Sequence, residues 1–213
     1  MTEQEWMTCT DPKKMLDFVG TRASKRRLRL FAVAGARDLL EHNPDSECRG
    51  DYGDSQAFAA SIQRAEAYAD GQGPLQYGHA DRGIWVEIWD DKEAAYAVLG
   101  KNADSGMWLR DPAEVVPTAI QDFQVNPTQW LRCLFGNPFR PAVIDPIWLS
   151  WRGGLLVSMA RRMYDSRDFS DMPVLADALE EAGCRDAEIL GHCRSGGEHV
   201  RGCWVVDLLL GKS

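Results

Sequence analysis

The sequence predicts an all-α protein, an irregular bundle of about eight to ten helices within a single domain spanning 1–213. Three observations carry that expectation. Asp11-Pro12, Asp111-Pro112, Asn126-Pro127 and Asp145-Pro146 each set a side-chain acceptor before a proline. This pairs an N-cap with the one residue that loses nothing in a first helical turn, because the N–H it lacks would have no partner there. Glu114 and Gln129 then stand three residues after their caps, the spacing of a capping box. Finally, apolar residues recur at helical intervals through most of the chain, and strand-like alternation is confined to Ile84, Val86 and Ile88.

Taken in order, the first helix starts at Asp11-Pro12. Residues 24–41 form the next, with Leu28, Phe31, Ala32, Gly35 and Leu39 on one stripe and Arg26, Arg29 and Arg37 away from it. Arg22, Lys25, Arg26, Arg27 and Arg29 crowd into eight positions, which reads as a solvated helix face. Asn43-Pro44 stops this helix, and 44–53 is a polar loop. Residues 54–70 are amphipathic through Phe58, Ile62, Ala65 and Ala69, and are closed by Gly71 and Gly73-Pro74. The Gly- and Pro-containing stretch 73–83 separates sub-lobes 1–72 and 84–213. Residues 84–89 admit a short strand. However, Trp85, Ile88, Trp89, Ala95 and Leu99 continue a helical stripe, so a helix to Gly100 is expected.

Helices at 112–123 and 127–135 follow, then an extended apolar strap with Pro138, Pro141 and Pro146. Further helices are expected at 155–164, 172–181 and 187–194. Residues 200–210 are apolar on nearly every side, hence buried, and Gly211 ends them. No fixed-period repeat supports a solenoid.

Composition narrows the function classes. The net charge of -8 (24 Lys and Arg, 32 Asp and Glu) argues against a general nucleic-acid surface, which needs positive excess. Eight tryptophans favour aromatic anchors in the core or at a partner surface. The opening MTEQEWMTCTDPKK has neither an apolar signal core nor an Arg-rich presequence, and no stretch approaches a membrane span. A cytoplasmic location is therefore expected, where six cysteines need not pair as disulfides.

The densest chemistry lies near the C-terminus. Cys184, Cys193, His199 and Cys203 form C-x8-C-x5-H-x3-C, four soft or borderline ligands at spacings seen in compact zinc sites, and His192 is an alternative ligand. The gaps equal those of CCCH fingers, with the last two ligand types reversed. Against the metal stands packing, since free cysteine behaves as a small buried hydrophobe. A Cys193–His199 thiol dyad across Ser195-Gly196-Gly197 is a third reading, but nothing in the sequence marks either residue as activated. Walker, GxGxxG and HExxH motifs are absent. Asp165, Asp168 and Asp171 lack the spacing of a calcium loop and read as solvated or capping residues.

Several segments carry a resemblance: MTEQEWMTCTDPKKMLDFV, SKRRLRLFAVAGAR, AEAYADG, LFGNPFRP, MPVLADALEEAGC, AEILGHCR and GEHVRGCWVVDLLLGK. Together they resemble a family of uncharacterised proteins abundant in planctomycete genomes, most tightly over 134–140 and 172–212. The resemblance implies a bacterial, cytosolic protein and no particular activity. Such relatives are often cysteine-rich after Leu-Arg-Leu-Phe-Ala. Here Val33, Ala34, Gly35 and Ala36 stand instead, which removes a metal or thiol role there.

The expected function is thus a non-enzymatic cytosolic interaction or regulatory module with a protein partner and no cofactor, because no paired catalytic constellation is present. The alternative is a small zinc-binding protein using Cys184, Cys193, His199 and Cys203. An enzyme whose site is assembled from distant residues is the second alternative.

Overall fold

A computed structural model describes residues 1–20, 22–42, 55–72 and 126–212. Among these, every regular element is a helix. The chain divides into two compact units, Met1–Leu131 and Arg132–Ser213. The 73–83 connection at which the sequence separates sub-lobes lies outside the described residues. So do the 44–53 loop, the candidate strand at 84–89 with its helix to Gly100, and the capped helix at 112–123.

In the first unit, α1 (Glu3–Thr8) was not foreseen from sequence, yet it carries a full capping box. Thr2 accepts from the Glu5 backbone N–H, and the Glu5 carboxylate accepts from the Thr2 N–H at 2.6 Å. Those bonds hold the Glu5 carboxyl below its usual range, the backbone N–H of Thr2 contributing most. Trp6 is fully buried on this helix and lies 6.2 Å from Phe18. Next, α2 (Pro12–Val19) starts as expected, with Asp11 accepting from the N–H groups of Lys13 and Lys14. The following α3 (Lys25–His42) is capped by Ser24. In α4 (Ser55–Ala69), Gly71 at φ +71 lets the Gln72 N–H reach back to Ala67 at 2.7 Å and close the helix.

One expectation on α3 is corrected. Every residue from Leu28 to Ala36 is buried, Arg29 among them, so Arg29 is no part of a solvated face, whereas Arg22 and Lys25 of the same run are exposed as expected. The reason is acidic complementarity on α4. Arg26 pairs with Asp70 at 3.1 Å, Arg37 pairs with Glu66 at 2.8 Å, and Arg29 stacks over the Tyr68 ring at 5.7 Å. Cations placed off the apolar stripe thereby face a second helix that neutralises them.

Helix α5 (Pro127–Phe135) carries the boundary between the units; Asn126 caps it through the Thr128 N–H. Trp130 belongs to the first unit, edge-on to Phe31 at 6.2 Å. In the second unit the strap is real but interrupted. Ala142 and Ile144 pack on the core and Val143 points outward, before Asp145 caps the short α6 (Pro146–Ser150). A 3-10 turn (Trp151–Gly153) then leads into α7 (Leu155–Ser166), followed by α8 (Met172–Glu181), α9 (Ala187–Arg194) and α10 (Trp204–Leu210). Here α8 packs on α9 and α7 on α10. Their buried faces meet in a core that includes Leu156, Met163, Leu175, Leu179 and Val206. Asp168 accepts from the Ser170 N–H, and Asp171 pairs with Arg162, so these loop carboxylates serve turns and ion pairs. No described helix is long and apolar enough to cross a membrane.

Candidate metal centre

Four side chains of the second unit converge: Cys133, His192, His199 and Cys203, whose ligand atoms all lie within 4.8 Å of one another. Each is positioned by a different local device. Cys133 sits in the last turns of α5, on its buried side. His192 stands in the last turn of α9, which Asp186 starts by accepting from Glu188 and Ile189. His199 rides on the exposed connection after α9. Cys203 is the N-cap of α10, reached through a turn in which Gly202 takes φ +93.

The geometry is compact. His192 Nε2 lies 3.2 Å from Cys203 Sγ, and His199 Nδ1 lies 3.8 Å from Cys133 Sγ and 3.9 Å from Cys203 Sγ. The two imidazole rings stand nearly perpendicular, centroids 4.8 Å apart. A tetrahedral ion with Zn–S near 2.3 Å and Zn–N near 2.05 Å has ligand–ligand edges of about 3.4–3.8 Å. The three sulfur–nitrogen contacts at 3.2, 3.8 and 3.9 Å sit near those edges, and the set as a whole spans up to 4.8 Å, so binding would draw the ligands slightly together. The backbone N–H of Val200 also points at Cys133 Sγ, at 3.4 Å, and helps hold negative charge on sulfur. His199 Nε2 is buried without a hydrogen-bond partner.

Electrostatics divide the two thiols. Burial pushes both upward. For Cys203 the contact with Cys133 and the neighbouring His192 and His199 outweigh burial and hold the thiol well below its ordinary range. For Cys133, burial is reinforced by the Cys203 neighbour, and the thiol lies well above that range. The two thiols therefore titrate as a coupled pair, with negative charge favoured on the sulfur that faces both imidazoles. Both sulfurs are fully enclosed, at 0% exposure for Cys203 and 1% for Cys133. Enclosure disfavours nucleophilic catalysis, which needs an accessible thiolate, and suits a closed ligand set.

Of the residues proposed from sequence, His199 and Cys203 belong to this cluster, and so does the alternative ligand His192. Cys184 and Cys193 do not; both are fully buried in the same core as Cys133 and Cys203 but outside the convergent set. Cys184 follows Gly183 (φ +95) where the chain folds back on α8, its N–H bonding to the Leu179 carbonyl at 2.9 Å. In that motif the residue packs against the end of its helix. Cys193 adjoins His192 in sequence, but consecutive helical side chains diverge by about 100°. His192 thus faces the cluster and Cys193 the core, where burial raises its thiol strongly. Cys133 was missed altogether. It stands far upstream in PTQWLRCLF, where Trp130, Leu131 and Leu134 make it read as one more core position.

Comparison with protein-family models, with curated proteins and with solved structures found no match to this chain.

The cluster is buttressed from outside. Trp204 lies 5.4 Å from the His192 ring, and its indole rests on Gly136, the residue that ends α5 at φ +59. A Cβ at Gly136 would come within 3.0 Å of Trp204 Cδ2. Gly136→Ala is expected to cost about 2 kcal/mol through left-handed strain and displacement of the indole, and to loosen metal retention. Gly211→Ala is the control. Gly211 shares the positive φ (+64), but a Cβ there meets nothing within 4 Å, so only the strain of about 1 kcal/mol should appear. Equal losses and equal metal release in both variants, read by urea unfolding and chelator competition, would rule out the Trp204 buttress.

Proposed function

We propose that the chain is a small zinc-binding protein whose ion ties the end of α5 to the α9–α10 corner through Cys133, His192, His199 and Cys203. The observation that carries this is convergence of two sulfurs and two imidazole nitrogens within 4.8 Å, a cluster to which the buried Cys184 and Cys193 do not belong. Two sulfur and two nitrogen donors in a tetrahedral arrangement select zinc among common divalent ions. Two thiolates also cancel the charge of a divalent ion, so the loaded site is neutral and tolerates burial. With four protein ligands no position is left for substrate, which makes the role structural. A structural ion is compatible with the non-enzymatic interaction module expected from sequence, in a reducing compartment that leaves the thiols free.

Elemental analysis of the purified chain tests the reading, with about one zinc per chain expected. Proton release gives an independent check. Zinc takes its cysteine ligands as thiolates, so uptake by the wild type should release protons in proportion to the ion bound, and Cys133→Ala and Cys203→Ala should release fewer. No zinc after reconstitution under reducing conditions would end the proposal. So would a turnover that survives metal removal and depends on Cys203.

A further inference from the structure

We propose that the Cys133–Cys203 pair is also a peroxide-sensitive latch, in which oxidation joins the two sulfurs as a disulfide and expels the ion. The proposal rests on the metal reading and adds a way of unloading the site. Three observations support it. The two sulfurs belong to one cluster whose ligand atoms lie within 4.8 Å, so side-chain rotation and a modest shift can bring them to bonding distance. The remaining buried cysteines described here, Cys184 and Cys193, are packed among apolar side chains and are not part of that convergence. Finally, the ligands differ in how firmly they are held. Cys133 and His192 stand in helices and Cys203 at a helix start. His199 follows Ser195, Gly196, Gly197 and Glu198, all exposed and outside any helix. This connection can move without unpacking the core, so His199 is the ligand whose departure uncovers the sulfurs at least cost.

The chemistry balances with a hydroperoxide as oxidant. One thiolate sulfur attacks a peroxide oxygen, the O–O bond breaks, and hydroxide leaves a sulfenic acid behind. The second thiolate attacks that sulfenic sulfur, the S–O bond breaks, a second hydroxide leaves, and the S–S bond forms. Each sulfur gives up one electron, the two peroxide oxygens take them, and both hydroxides are protonated by solvent. Having lost both anionic ligands, the divalent ion departs into water. Reduction by a dithiol restores two thiols and the capacity to rebind.

The test treats the zinc-loaded full chain with hydrogen peroxide in the presence of a chromophoric zinc chelator, then blocks free thiols and maps cross-linked peptides by mass. The expected result is release of about one ion per chain in step with a Cys133–Cys203 bridge, reversed by reductant and added zinc. Release without a bridge, a bridge to any other cysteine, or oxidation of the thiols beyond sulfenic acid overturns the latch. Retention of the ion under peroxide that consumes a small free thiol overturns it equally. A metal-free sample is carried alongside. A chain that never takes up zinc overturns both the metal reading and the latch. One that takes it up and keeps it through oxidation overturns the latch alone.

Discussion

Cys203→Ala is expected to abolish zinc retention and to remove about 4 kcal/mol of stability, measured with free zinc at a thousandfold its dissociation constant. Ion binding to the folded state alone stabilises by mass action, so losing a ligand forfeits that whole increment. Cys193→Ala provides the contrast. It removes one buried heavy atom from the same core, so it should cost about 1 kcal/mol for the small cavity and leave one zinc per chain. The comparison is informative because both residues are fully buried and both belong to the sequence-level ligand set. In the structure only Cys203 faces the two histidines, at 3.2 and 3.9 Å. Cys133→Ala should behave as Cys203→Ala does, although nothing in its local sequence distinguishes it from packing. Chelator treatment offers the same measurement without mutation: the thermal midpoint of wild type should fall, and that of Cys203→Ala should not. If Cys193→Ala loses the ion while Cys203→Ala keeps it, the four-residue cluster is the wrong ligand set.

The contrast also marks where sequence reading reaches its limit. Helix starts were legible because capping is local. Asp11, Asn126 and Asp145 all accept the N–H bonds that their positions before proline imply. The 172–181 and 187–194 helices matched to the residue because Asp171-Met-Pro and Asp186 begin them and Gly183 and Ser195-Gly196-Gly197 follow their ends. The Cys/His cluster was half legible. His192, His199 and Cys203 lie within one short window, and turn geometry alone brings them close. Cys133 reaches the cluster only through packing of α5, and no spacing rule records a tertiary contact across so long a separation. The expected ligands Cys184 and Cys193 had suitable spacing, but spacing is blind to direction. Cys184 is turned inward by the fold-back after Gly183, and Cys193 by its position one step round the helix from His192. The same blindness misplaced Arg29, whose position off the apolar stripe suggested solvent until α4 supplied its cover.

That buried charged seam between α3 and α4 should produce the second large effect. Glu66→Ala is expected to destabilise the first unit by about 3 kcal/mol, because it leaves Arg37 facing a desolvated seam without its carboxylate. The Glu66 side chain is only 2% exposed, and that of Arg37 is 26% exposed. The arginine can therefore recover some hydration, which places the cost at the lower end for a broken buried pair. Replacing both partners by apolar residues should behave differently. Arg37→Leu with Glu66→Leu removes both desolvation penalties and fills the seam with packing atoms, so the double variant should lie within about 1 kcal/mol of wild type. The coupling between the sites, read from a double-mutant cycle in urea, should then exceed 1 kcal/mol. Additive single costs would mean that the charges act independently and that α3–α4 docking depends on apolar burial alone. Should the coupling appear, the seam acts as a register device. Arg26 and Arg37 stand toward opposite ends of α3, while Glu66 and Asp70 are one turn apart at the C-terminal end of α4, so sliding one helix by a turn would break both pairs at once.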